Sequence, residues 1–118
     1  MKRHHISLKH AWDGVITGIR TQPNFRIHLT LSILIIIIGL VFHFNSIEWA
    51  IILFTISVGL AIELINTAIE FTVDLLTEQY NLLAKYAKDT AAAAMLIYAF
   101  FSILIAFFII FPKLWFLQ

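Results

Sequence analysis

The chain has 118 residues, 61% of them hydrophobic and 13% charged, with a mean hydropathy of +0.93 and a formal net charge of +1. Soluble domains run near ~45–50% apolar and ~25% charged, so this composition excludes an ordinary water-soluble domain and reads as a membrane protein. The small net charge, with no basic run, excludes nucleic acid as a partner. The absence of cysteine excludes disulfide and thiolate chemistry.

At the N-terminus no continuous apolar run follows the basic residues, so no cleavable signal peptide is expected. Residues 7–20 put Leu8, Trp12, Val15, Ile16 and Ile19 on one helical face and Lys9, Asp13, Thr17 and Arg20 on the other. That pattern predicts an amphipathic helix lying in the membrane interface, within residues 1–22. Pro23 separates it from a first membrane span over about residues 27–44, which Asn45 and Ser46 break. A second span is expected over about 47–76 and a third over about 91–111, stopped by Pro112. The chain therefore reads as a single all-α membrane domain of residues 1–118: one surface helix and three transmembrane helices.

Lys2, Arg3, Lys9, Arg20 and Arg26 precede the first span, and Lys85 and Lys88 lie between the second and third. The turn at Asn45 and Ser46 has no basic residue, and the C-terminus has only Lys113. The positive-inside rule places the N-terminus and second loop in the cytoplasm and the C-terminus outside. Trp12, Trp49 and Trp115 suit interfacial belts. Three spans of this length do not readily enclose a site, so an oligomer is expected.

The second span carries polar residues in a pattern. Glu63, Asn66, Glu70 and Asp74 stand at i, i+3, i+7 and i+11, within about 80° of arc on a helix turning ~100° per residue. Ionisable groups at the edge of a membrane helix are costly and usually face a polar site. Lys85, Lys88 and Asp89 follow on the same side of the membrane. Carboxylates and an amide suit Mg²⁺, which takes one or two protein carboxylates beside substrate phosphates. A lysine can neutralise charge on a phosphoryl group in transit. The four glycines are scattered and form no phosphate-binding loop.

Other readings of these residues stay open at this level. Glu63, Asn66 and Glu70 could be a structural polar network between helices, or Glu63 and Glu70 the relay carboxylates of a small proton- or cation-coupled transporter. Clustering at one membrane face weighs against a translocation path, and a transporter gives Lys88 and Asp89 no role. Asp74 could be an ordinary solvated helix-end residue, Lys88 a topology-setting charge and Asp89 an N-cap for the third helix. His4, His5, His28 and His43 lack metal-ligand spacing, and Glu48 and Glu78 read as surface charges.

The run Glu63-Leu-Ile-Asn66-Thr-Ala-Ile-Glu70-Phe-Thr-Val-Asp74, followed by Ala87-Lys88-Asp89-Thr-Ala-Ala-Ala-Ala94, resembles the small bacterial diacylglycerol kinase and undecaprenol kinase family. Asn24-Phe25-Arg26-Ile27-His28 looks like the undecaprenol kinase branch. The resemblance implies a homotrimer of the bacterial cytoplasmic membrane with composite sites between subunits, moving the γ-phosphate of Mg-ATP onto a lipid hydroxyl. By position, Glu63 matches the general base and Glu70 a metal-binding glutamate, with Asn66 and Asp74 lining the same site. Lys88 and Asp89 match the pair at the nucleotide, Lys88 stabilising charge on the transferred group. Gln79, Tyr80 and Asn81 match the loop near the adenosine, and Arg3 and His10 match nucleotide-side positions on the surface helix. His10 stands where the diacylglycerol enzyme has a tyrosine. Trp12, Gly14, Phe25 and Arg26 match the lipid-lining region. Gln22 occupies the position of a second metal-binding glutamate, so weaker binding of a second metal is expected.

Overall fold

The computed structural model describes residues 8–115. Four helices follow in order: α1 (Leu8–Thr21), α2 (Pro23–Val41), α3 (Ser46–Leu76) and α4 (Leu82–Trp115). α2, α3 and α4 are each long and apolar enough to cross a membrane, and α1 is the amphipathic surface helix. α3 packs against both α2 and α4, and α1 rests on α2 and α3.

Length decides where the polar end of α3 lies. A hydrocarbon core ~30 Å thick takes about 20 helical residues at ~1.5 Å each. α2 has 19 residues and spans with nothing to spare, whereas α3 has 31 and α4 has 34. Counted from Ser46, the core is used up near Asn66, so the last turns of α3 project beyond it. The first turns of α4 project on the same side, because the helices run antiparallel.

The helix ends differ from the sequence reading for identifiable reasons. α2 starts at Pro23, four residues before the expected 27, with proline in the first turn where its missing N–H is no loss. It stops at Val41, not at 44. The Phe44 N–H bonds the Gly39 carbonyl at 2.9 Å and the His43 N–H the Leu40 carbonyl at 3.4 Å. His43 takes a left-handed φ of 50°. This is a Schellman stop, with histidine at the position glycine usually fills. Asn45 begins α3 instead of breaking α2: its side chain accepts from the Ile47 and Glu48 N–H groups, and the Glu48 carboxylate accepts from the Asn45 N–H at 2.7 Å. Such a capping box satisfies orphan donors at both positions.

α4 is longer than the expected 91–111 at both ends. Asn81 caps it, accepting from the Leu83 N–H at 2.9 Å and the Ala84 N–H at 3.1 Å, which leaves Asp89 inside the helix and not at its cap. Pro112 does not stop α4, which continues to Trp115. Near Pro112, Lys113 pairs with Glu48 at 2.9 Å and lies 5.4 Å over the Phe44 ring. Glu48 is therefore a tie between the outer ends of α3 and α4, not a free surface charge. Trp49 turns onto Phe44, ring centroids 5.6 Å apart.

Candidate active site

The residues of α3 that turn inward include Gly59, Glu63, Asn66 and Thr67, all buried. Glu63 is 1% exposed. The Asn66 amide nitrogen donates to Glu70 Oε1 at 3.1 Å, and the Thr67 hydroxyl donates to the Glu63 carbonyl at 2.9 Å. These bonds leave two buried acceptors, Glu63 Oε2 and Asn66 Oδ1, with no partner. An unpaired buried acceptor costs about 1–3 kcal/mol, which makes these two oxygens the natural receivers of a ligand's proton or cation. Thr67 was missed in the sequence, though its i+4 spacing from Glu63 puts it on the same face.

The second group of expected residues converges on the α3–α4 turn. Gln79, Tyr80, Asn81, Lys88 and Asp89 line one cleft of about 240 Å³, together with Val73, Ala84 and Lys85. Lys88 Nζ bonds Asp74 Oδ1 at 2.5 Å, and Lys85 pairs with Asp89. Asp74 is exposed, so it meets Lys88 across the mouth of the cleft and does not join the buried Glu63–Asn66 pair. Lys85, read in the sequence as part of the charged run but given no role of its own, lies one turn before Lys88 and shares the cleft.

The residues expected on α1 and α2 divide. His10, Trp12 and Gly14 are exposed on α1, and open space surrounds Gly14. Arg26 is exposed, and Arg3 lies outside the described residues. Phe25 is 2% exposed and packs under Gly18. A Cβ on Gly18 would come 2.8 Å from Leu64 Cδ2. Glycine there lets α1 settle onto α3 next to Glu63 without displacing the Leu64 side chain. Gln22 is half-buried at the N-cap of α2, and its side chain makes no capping bond.

Among the described residues no three His, Asp or Glu side chains are grouped to hold a metal. Mg²⁺ needs less from the protein, since phosphate and water oxygens complete its shell. The Glu70 carboxylate and the unpartnered Asn66 Oδ1 fit that requirement. The arrangement is a buried carboxylate at the edge of the hydrocarbon, a cation-competent pair one to two turns beyond it, and a lysine-lined cleft in water.

A helical membrane protein with such a site is equipped to act on an amphiphile at the interface. The sequence model for "Prokaryotic diacylglycerol kinase" matches residues 9–110. The chain is 40% identical to an undecaprenol kinase of Bacillus subtilis over 114 residues, covering 97% of this chain and 93% of that one. It is 37% identical over 110 residues to a diacylglycerol kinase of Synechocystis, covering 92% of this chain and 63% of that one. Against a diacylglycerol kinase of Escherichia coli K12 the identity is 26% over 88 residues, covering 75% and 72%. The chain belongs to the prokaryotic diacylglycerol kinase family. It is a membrane lipid kinase, which uses ATP.

Proposed function

We propose that the chain transfers the γ-phosphate of ATP to the hydroxyl of undecaprenol, with diacylglycerol the second candidate. The observation that carries the chemistry is Glu63, fully buried with Oε2 unpartnered, at the depth where a lipid hydroxyl meets the interface. Glu63 Oε2 takes the hydroxyl proton as the lipid oxygen attacks the γ-phosphorus. The new P–O bond forms while the bond from γ-phosphorus to the β–γ bridging oxygen breaks, and ADP leaves. Lys88 lets go of Asp74 and neutralises the transferring oxygens. Glu70, Asn66 Oδ1 and the Gln22 side-chain carbonyl would hold Mg²⁺, which would supply screening of the phosphate charge. Gln79, Tyr80, Asn81 and Asp89 hold the nucleoside side, with His10 completing it from α1 and Arg3 assigned to it by resemblance alone. Trp12, Gly14 and Arg26 face the lipid head, and Phe25 sets the floor beneath them.

Undecaprenol is favoured by two supports: the Asn24-Phe25-Arg26-Ile27-His28 segment, and near end-to-end alignment with a relative of that name at 40% identity. The assembly proposed is the homotrimer that the family resemblance implies; α4 buries only Ala91 and Met95 in the single chain, which leaves an apolar face that neighbouring subunits could cover. The N-terminus and site face the cytoplasm, and the C-terminus faces outward. Initial rates of phosphate transfer to undecaprenol and to diacylglycerol, at matched mole fraction in the same micelles, test the substrate. A faster rate with undecaprenol is expected; a clear preference for diacylglycerol would reverse the assignment.

A further inference from the structure

We infer that the joint between Tyr98 and Gly59 is a register stop that sets Lys88 within one residue of Glu70, making Tyr98 a positioning residue for phosphoryl transfer. The inference rests on the roles given above to Lys88 and Glu70.

Tyr98, half-buried on α4, donates its hydroxyl to the Thr55 carbonyl on α3. Thr55 and Gly59 are one helical turn apart, so the phenol reaches the α3 main chain itself. A Cβ at Gly59 would overlap the Tyr98 ring and its oxygen. A side chain at position 59 would therefore have to push the ring off the α3 main chain. Glu63 follows Gly59 by one further turn on the same face.

Three pairings define how α4 runs against α3. Thr55 and Ser102 line one intramembrane groove, Gly59 meets Tyr98, and Val73 and Ala84 line the cytoplasmic cleft. Steps along α3 are matched by steps back along α4, as antiparallel packing requires. That register puts Ala91 level with Asn66 and Lys88 within one residue of Glu70, with the Lys88 ammonium reaching on to Asp74.

Within the buried seam little else resists sliding, and the ties at its two ends, Asp74–Lys88 and Glu48–Lys113, are made by long lysine side chains that can follow a small shift. The seam's other inward α4 residues toward the site are Ala91 and Met95, and α3 offers Ile52 on the far side. Surrounding lipid supplies no hydrophobic force to hold one register over another, so close packing and interhelical hydrogen bonds must do it. A slip of one residue moves Lys88 by ~1.5 Å along the axis, and a misplacement of ~1 Å costs on the order of 10² in rate.

The test measures kcat, lipid KM, melting temperature and register in Tyr98→Phe, Tyr98→Leu, Gly59→Ala and Gly59→Ala/Tyr98→Leu. Register is read without reference to activity, from the yield of a short bis-maleimide bridge between Val73→Cys and Ala84→Cys. The chain has no other cysteine to confuse it. Gly59→Ala is expected to lower kcat by about tenfold or more, at temperatures where it stays folded, with lipid KM nearly unchanged and bridge yield reduced. Adding Gly59→Ala to Tyr98→Leu should cost nothing further, because the ring it would strike is gone. Tyr98→Phe keeps the ring and should lower kcat by about two- to fivefold.

Wild-type kcat and bridge yield in Gly59→Ala would overturn the inference, as would a lower melting temperature with kcat intact. If Gly59→Ala does not assemble, Tyr98→Phe decides, and unchanged kcat and bridge yield overturn it. A wild-type protein that moves no phosphate would overturn the proposed function instead, while the bridge yields still judge the register.

Discussion

Glu63 is buried by neighbours that give its carboxylate oxygen Oε2 nothing to bond. Its own main-chain carbonyl is taken by Thr67, and Asn66 spends its amide on Glu70, so the side chains around it rigidify one another while Oε2 stays available. Replacing Glu63 with glutamine keeps the shape and removes the base. Transfer should fall by about 10²–10⁴, with the melting temperature unchanged or raised; turnover near wild type would remove Glu63 from the base role. In the proposed site Gln22 would supply a neutral oxygen where a carboxylate would bind a cation more tightly. Gln22→Glu should therefore shift the Mg²⁺ dependence of turnover to lower concentration, and an unmoved Mg²⁺ titration would show that Gln22 is not a ligand. The Glu63–Glu70 stripe was legible in the sequence because one helix fixes its geometry, and angular spacing alone places all its members. Lys88 and Asp89 were legible as charges at the same membrane face. Their pairing at the nucleotide came only through resemblance, since their meeting with the α3 side depends on a turn whose path no periodicity reveals.

At the scale of helices, capping chemistry decided what hydropathy blurred. Hydropathy sees where oily residues end, but α4 begins nine residues before its long oily part because Asn81 caps it ahead of the charged Lys85, Lys88 and Asp89. α2 ends where His43 can turn left-handed, not at the polar Asn45. A left-handed φ costs a non-glycine residue roughly 1–2 kcal/mol, less for short polar side chains. His43→Gly should stabilise the folded chain by up to about 1 kcal/mol in detergent unfolding, after the larger chain entropy of glycine is subtracted. A loss of stability would mean that the imidazole makes contacts worth more than the strain. Glu48 serves two ends at once, boxing the start of α3 and pairing with Lys113 of α4. Glu48→Gln should lower the melting temperature and leave kcat below that temperature unchanged, because the tie lies across the membrane from the site. A kcat defect without melting loss would place Glu48 in the reaction. The Gly59–Tyr98 joint was invisible in the sequence: it requires knowing which residue of α4 faces which residue of α3.

For the whole molecule, the single chain leaves its site open. His10, Trp12 and Gly14 lie exposed on α1, and most of α4 faces outward. A site shared between subunits makes a specific demand on mixed assemblies. Subunits carrying Glu63→Gln and subunits carrying Lys88→Met, each inactive alone, should regain about a tenth or more of wild-type activity when co-assembled, if the two residues serve one site from different chains. No recovery would mean that each chain carries a full site. The composition made the membrane legible at once, and helix length then carried the functional stripe of α3 to the edge of the hydrocarbon. Glu63 as the base of this lipid kinase is the proposal on which the other residue roles depend. The most direct measurement is transfer of labelled γ-phosphate from Mg-ATP to undecaprenol by purified wild-type and Glu63→Gln protein, both shown to be folded and assembled. Labelled lipid from the wild type and none above background from the variant is the result expected. Equal labelling by both, or none by the wild type with either undecaprenol or diacylglycerol, would contradict the account.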